Sequence, residues 1–274
     1  MSDTEQTTAP PIAVVGIPAD DNSSFMRGPR LAPERIRQVL HSGAANMTSE
    51  CGIELGDHPG WRHVGDLDLP NRDADQPIEA GVRALLDAGH PVISLGGDHS
   101  VTFPILRALS GRHTPLTIVH LDAHPDLYDE LDGNRLSHAS PFARIMEAGL
   151  CQRLIQIGIR TLEQHQRQQA RRFGVEMFHA RDWSLERLPD ISGAVYLSLD
   201  LDVLDPAFAP GVSHHEPGGL TTRDVLGIIQ ELPGTLIGAD IVELNPHRDL
   251  IDMTAMVAAK CLKEILARML RNLE

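Results

Sequence analysis

The chain has 274 residues, 42% of them hydrophobic, enough for one α/β domain with a sizeable core. A net charge of −14 at pH 7 argues against nucleic acid or an anionic membrane as partner, and no apolar run is long enough to span a bilayer. Cys51, Cys151 and Cys261 are odd in number and outside any CxxC spacing; with no basic-then-apolar leader, they read as reduced thiols of a cytoplasmic protein.

Residues 1–10, rich in Ser, Thr, Gln and Pro, read as a flexible tail, and residues 11–274 as a single domain. In chain order, apolar runs and amphipathic stretches predict a strand at Ile12–Gly16 and helices at Ala32–Leu40 and Ile78–Ala88. A strand at Pro91–Leu95, a helix at Val101–Leu109 and a strand at Pro115–Leu121 follow. Next come a helix at Pro141–Ala148, a strand at Leu154–Ile159 and a helix at Glu163–Phe173. The chain closes with a strand at Ala194–Asp200, a helix at Thr222–Glu231, a strand at Thr235–Val242 and a long helix at Met253–Leu270. Pro33 and Pro141 sit near predicted helix starts, where proline is favoured. The alternation predicts a three-layer α/β/α domain with a mostly parallel sheet. In such sheets ligands bind at the carboxyl ends of the strands.

Three of those strand ends carry metal-competent groups. Val92–Leu95 runs into Gly96-Gly97-Asp98-His99, Leu116–Leu121 into Asp122-Ala123-His124-Pro125-Asp126, and Ala194–Leu199 into Asp200-Leu201-Asp202. Buried carboxylates repel one another unless a cation compensates, and a pair of divalent metals is the natural compensation. At about 3.3 Å per residue, an extended chain would hold Asp122 and Asp126 roughly 13 Å apart. Hydrolytic metal pairs are only ~3.5–4 Å apart, so the chain must curl after His124. An extended Asp200–Asp202 pair would span roughly 6.6 Å and reach both metals without a curl. Asp98 reads as a loop-stabilising group, His120 as an interior histidine, and Asp205 as a residue ordering the turn before Pro206.

These three segments resemble the signatures of the ureohydrolases, the family of arginases, agmatinases and formiminoglutamases. The likeness runs from about Ile12 to Ala267. Asn134–Phe142 and Gly211–Gly219 are most similar to the plant-type arginases. The resemblance implies a binuclear manganese hydrolase with two Mn²⁺ per subunit, held by His99, Asp122, His124, Asp126, Asp200 and Asp202. Oxygen-rich coordination with two imidazoles suits Mn²⁺ better than zinc.

The resemblance further implies that His138 is the proton-transferring acid and that Glu243 pairs with a guanidinium. In that reading His138 lies in a polar turn, exposed and mobile. Glu163 falls where family arginases read the substrate's α-ammonium, and Asn134 and Ser137 are the neutral donors offered to its α-carboxylate. The partner implied is a small cationic guanidino compound, foremost L-arginine, hydrolysed to L-ornithine and urea. The acids of the loop Tyr128–Asp132 lean instead toward agmatine or another carboxylate-free guanidine, such as a guanidinobutyrase would accept. Family likeness also implies a homo-oligomer, a trimer or hexamer. His214 and His215 read as rim or structural residues, and Glu216 in the same loop as a sensor of the substrate's far end.

Overall fold

A computed structural model describes residues 10–272, so all but Pro10 of the expected tail lies outside the described residues. Eight strands form one sheet: β1 (Ile12–Gly16), β2 (Trp61–Asp66), β3 (Val92–Leu95), β4 (Leu116–Leu121), β5 (Arg153–Ile159), β6 (Glu176–His179), β7 (Ala194–Asp200) and β8 (Thr235–Val242). Their order is β2-β1-β3-β8-β7-β4-β5-β6, and every neighbouring pair is parallel. Seven α-helices among the described residues flank it: α1 (Ala32–Leu40), α2 (Asp75–Asp87), α3 (Thr102–Leu109), α4 (Pro141–Glu147), α5 (Gln164–Phe173), α6 (Thr222–Glu231) and α7 (Met253–Leu270). None among the described residues is long and apolar enough to cross a membrane.

Strand alternation divides the core between the two faces. Val119 and Leu121 of β4 pack with Ile36 of α1, Ile229 of α6 and Leu262 of α7. Leu116 and Ile118, one step out of phase, pack with Ile105 of α3 and Phe142 of α4. α6 is started by a reciprocal cap: Thr221 Oγ accepts from the Asp224 amide (3.1 Å), and the Asp224 carboxylate accepts from the Thr221 amide (2.9 Å).

Two strands differ from the sequence expectation. β2 and β6 are the outer strands of the sheet, and neither carries the fully apolar run of a central strand. At the centre, β3, β8, β7 and β4 lie side by side. The segments that follow these four strands carry His99, Glu243, Asp202 and Asp122. The fold therefore gathers residues spread over nearly 150 positions at one edge of four adjacent strands.

Candidate metal centre and its cleft

His99 opens a short 3₁₀ turn, His99–Val101, directly after the Gly96-Gly97 exit from β3. A Cβ on Gly97 would lie 2.3 Å from the Ala19 carbonyl oxygen, so only glycine permits this close passage of backbone. Asp98 buttresses the same turn, accepting from the Ser100 and Asn22 amides (both 3.0 Å). His99 Nε2 lies 3.0 Å from Ser198 Oγ, whose hydroxyl donates to Asp240 (2.7 Å). Because Ser198 spends its proton on Asp240, it accepts from His99 Nε2–H, which leaves a lone pair on Nδ1.

That Nδ1 is buried without a hydrogen-bond partner. Around it stand Oδ2 of Asp126 (3.1 Å), Oδ2 of Asp200 (3.1 Å) and Oδ2 of Asp122 (3.2 Å). A lone pair facing three carboxylate oxygens at these distances is repulsive unless positive charge sits among them. A second group is contiguous with the first: His124 Nδ1 lies 2.9 Å from Asp202 Oδ2 and 3.4 Å from Asp122 Oδ1. The six residues read as ligands therefore converge, with Asp122 common to both groups. Histidine nitrogens and carboxylate oxygens in this ratio fit hard or borderline divalent cations.

The electrostatics point the same way. Burial, with Asp202 and Asp122 alongside, pushes the Asp200 carboxyl well above its ordinary range. Burial and Asp122 raise Asp202 to about 6. Against burial, which opposes charge, the Asp202 and Asp122 carboxylates drive His124 up to about 12. The cluster draws cations, and a metal taking His124 would release the proton that the carboxylates otherwise hold on its ring.

Local conformation departs from an extended chain in both ligand segments. After His124 the chain does curl: Asp126 has a left-handed backbone (φ 49°), and the Pro125 carbonyl accepts from Gln156 Nε2 (2.6 Å). Asp202, by contrast, is not extended from Asp200. β7 ends at Asp200, and Leu201–Val203 form a 3₁₀ turn capped by Asp200 Oδ1, which accepts from the Asp202 amide (2.8 Å). The cap fixes both carboxylates from one turn, which a straight strand could not do.

Above the cluster lies a cleft of about 270 Å³ lined by His124, Asp126, Asp200, Asp202, His138 and Glu243, with Tyr128, Thr161, Glu163, His214 and Glu216 toward its rim. His138 corrects the expectation of an exposed, mobile side chain: it is 8% exposed and held at both ring nitrogens. Its Nδ1 lies 3.0 Å from Glu243 Oε1 and its Nε2 lies 2.9 Å from Ser24 Oγ. Although burial alone would lower it, the Glu243 carboxylate raises His138 to about 9. Glu243 sits in left-handed backbone (φ 66°) and also accepts from the His99 amide at Oε1 (2.9 Å). Oε1 thus serves the protein, and Oε2 has no protein donor among the described residues.

Asn134 and Ser137 correct a second expectation, because neither lines the cleft. The Asn134 amide donates to Asn22 Oδ1 (2.9 Å) and its Oδ1 accepts from the Leu136 amide (2.9 Å). Ser137 is buried and its hydroxyl accepts from the Ala139 amide (3.3 Å). Both build the loop that carries His138. Asp129, Glu130 and Asp132 do not line the cleft either, and Asp129 is paired with Arg135 and Arg144 at 2.9 Å each. Glu163 does reach the cleft, where its Oε2 accepts from the Tyr128 hydroxyl (2.8 Å). His215 is exposed and does not line the cleft, its Nε2 2.7 Å from the Pro210 carbonyl, whereas His214 packs 5.1 Å from the His138 ring.

His120 is the interior histidine the sequence suggested, but its partners, and the supporting roles of Arg160 and Ser24, were not legible there. His120 Nε2 lies 2.7 Å from Asp122 Oδ2, while its Nδ1 lies 3.0 Å from Gln156 and its ring stacks on Phe142. Both nitrogens are engaged, so His120 orients Asp122 and is not itself a ligand. Arg160 donates to five backbone carbonyls, among them Asp202 (2.6 Å), Glu216 (2.7 Å) and Val203 (3.1 Å), clamping the Asp202 turn to the rim loop. The hydroxyl of Ser24 is the third case. Polarity alone does not disclose such partners, which for Ser24 means a residue 114 positions away.

A parallel α/β sheet with a buried His/Asp cluster under a cleft at its carboxyl edge defines a metal-dependent hydrolase. The sequence profile of the Arginase family matches residues 10–267. The chain is 46% identical to "Arginase 1, mitochondrial" of Arabidopsis thaliana over 93% of this chain and 80% of that one, and 34% identical to an agmatinase of Bacillus anthracis over 93% and 90%. The structure of an arginase from Medicago truncatula superposes with a TM-score of 0.89 at 42% identity, covering 95% of this chain and 88% of that one. The chain belongs to the arginase family of metal-dependent ureohydrolases. The cytoplasmic expectation is overturned by the same comparison: the Arabidopsis relatives bear mitochondrial or chloroplastic/mitochondrial names.

Proposed function

We propose that the protein hydrolyses L-arginine to L-ornithine and urea with two Mn²⁺ ions per subunit. Convergence of His99, Asp122, Asp126 and Asp200 on one buried point is the observation that carries the hydrolytic part of this reading. His99, Asp122 and Asp126 would hold one ion and His124 and Asp202 the other, with Asp122 and Asp200 shared. Bound ions would supply Lewis acidity, making water a competent nucleophile near neutral pH.

The chain's own groups do the rest. Glu243 Oε2 is available to the planar guanidinium and orients its carbon for addition of water. As the tetrahedral adduct collapses, the C–N bond to the departing amine breaks and that nitrogen must gain a proton. His138 supplies it from Nε2, because Nδ1 is committed to Glu243. At the rim, Glu163 faces a substrate's α-ammonium.

The acids of the Tyr128–Asp132 loop were the feature favouring agmatine, and their absence from the cleft removes that objection to a carboxylate. High identity to a named arginase supports arginine further. We further propose one catalytic domain over residues 11–274, assembled as a homo-oligomer. Urea release from L-arginine, agmatine and 4-guanidinobutyrate after Mn²⁺ loading tests the reading. Arginine is expected to be preferred by at least about tenfold in kcat/KM, and preference for agmatine would overturn the assignment.

A further inference from the structure

The chain between β1 and α1 contributes a group to this site that the ureohydrolase signatures do not include. The loop is pinned from several sides. Asp20, 1% exposed, accepts from the Gly28 amide (2.8 Å), and Asp98 accepts from the Asn22 amide (3.0 Å) and the Ser23 hydroxyl (3.1 Å). The Asn22 carbonyl accepts from the His138 amide (3.2 Å), and Asn22 Oδ1 accepts from Asn134 (2.9 Å). Asn22 therefore ties this loop to the loop that carries His138, and Ser24 follows two residues later.

Ser24 is exposed, lines the cleft and places Oγ 2.9 Å from His138 Nε2. His138 itself is buried, and its Nδ1 is engaged by Glu243. Nε2 is thus the nitrogen that must lose and regain a proton in each turnover, and the Ser24 hydroxyl lies along its hydrogen bond. A hydroxyl has one proton and two lone pairs, so it accepts from Nε2–H when His138 is charged and donates to Nε2 when His138 is neutral. Alanine could do neither.

We propose that Ser24 is the relay through which His138 hands its proton to the departing amine and recovers one from solvent. The inference rests on His138 being the acid. In the forward step the His138 Nε2–H bond breaks as a Ser24 O–H bond forms, while the original Ser24 proton passes to the amine nitrogen. The amine gains one proton, His138 loses one, and Ser24 is unchanged. Water then returns a proton by the same path.

The test is a double-mutant cycle on the full-length, Mn²⁺-loaded enzyme, with urea release from L-arginine as readout. Ser24→Ala is expected to lower kcat about tenfold or more with KM changed less than about twofold, and Ser24→Thr, which keeps the hydroxyl, to restore most of the rate. In the His138→Asn background, Ser24→Ala is expected to add nothing, because the relay has no donor to serve. The number of protons in flight, read from the dependence of kcat on deuterium fraction, should fall in Ser24→Ala. A wild-type kcat for Ser24→Ala, or an equal further loss in the His138→Asn background, would overturn the relay while leaving His138 as the acid. A wild-type rate for His138→Asn alone would instead overturn the assignment of His138 itself. Unchanged thermal melting of both serine variants separates these outcomes from misfolding.

Discussion

His120 takes no place in the cleft, yet it governs how Asp122 is presented to both halves of the metal cluster. Its Nε2 lies 2.7 Å from Asp122 Oδ2, and Gln156 fixes the opposite nitrogen. Groups that orient ligands in this way are typically worth 10–100-fold in metal affinity or activity. His120→Asn, small enough for the site and too short to reach Asp122, should weaken Mn²⁺ binding by about that factor with little change in KM. Metal titration of the apoprotein reads it, and unchanged affinity would reduce His120 to a packing residue. The six candidate ligands were legible because each stands at the end of an apolar strand, where a charged pair has no structural excuse. Their supports were not legible in the same way. Ser24 lies 114 positions from His138, and Asp240 lies 138 positions from Thr102, which donates to it.

At the scale of elements, the sequence yields the central strands and misses both edges, for a physical reason. β4 and β7 are buried along almost their whole length and read as continuous apolar runs. β2, Trp61-Arg62-His63-Val64-Gly65-Asp66, is half-exposed and mixes charge with apolar residues, as an edge strand does. Its His63 sits among Trp61 and His41 with both ring nitrogens buried and unpaired. Burial, helped by His41 and Arg37, lowers its pKa from 6.5 to about 4. Above pH 6.5 His63 is neutral in both folded and unfolded chains. Between 6.5 and about 4 the unfolded chain binds a proton that the folded one refuses. His63 therefore subtracts stability as pH falls through that window, and the loss is complete below about 4. Replacing it with leucine should flatten the decline, as measured by urea unfolding of metal-free wild type and variant at pH 8 and pH 5. Parallel curves for the two proteins would show that the ring is solvated after all.

For the whole molecule, strand order is what turns three separated motifs into one centre. Nothing in the residues of β7 and β8 says that they will be inserted between β3 and β4. Composition was less informative. The charge of −14 excludes partners but says nothing of the cleft, where the acids that matter are Asp122, Asp126, Asp200 and Asp202, none more than 6% exposed. Holding four carboxylates so deeply makes the native state a better cation binder than the unfolded chain, so metal must stabilise the fold. At a hundredfold excess over Kd, one site contributes about 2.7 kcal/mol, which for a chain of this size raises Tm by roughly 5–10 °C. Chelator-treated protein should melt lower by that margin and recover on adding Mn²⁺. Coincident melting curves would mean that the cluster holds no ion.

One consequence of the β2 edge concerns light. The chain has two tryptophans, Trp61 and Trp183, and neither lines the cleft. Trp61 is 8% exposed, and its indole meets the His63 imidazole edge-on, with ring centroids 5.1 Å apart. A charged imidazole quenches indole emission at such contact, whereas a neutral one does so weakly. The intrinsic fluorescence of this protein is therefore an optical gauge of proton uptake at an outer strand, bright at neutral pH and dimming toward pH 4. Substrate entering the cleft meets neither indole.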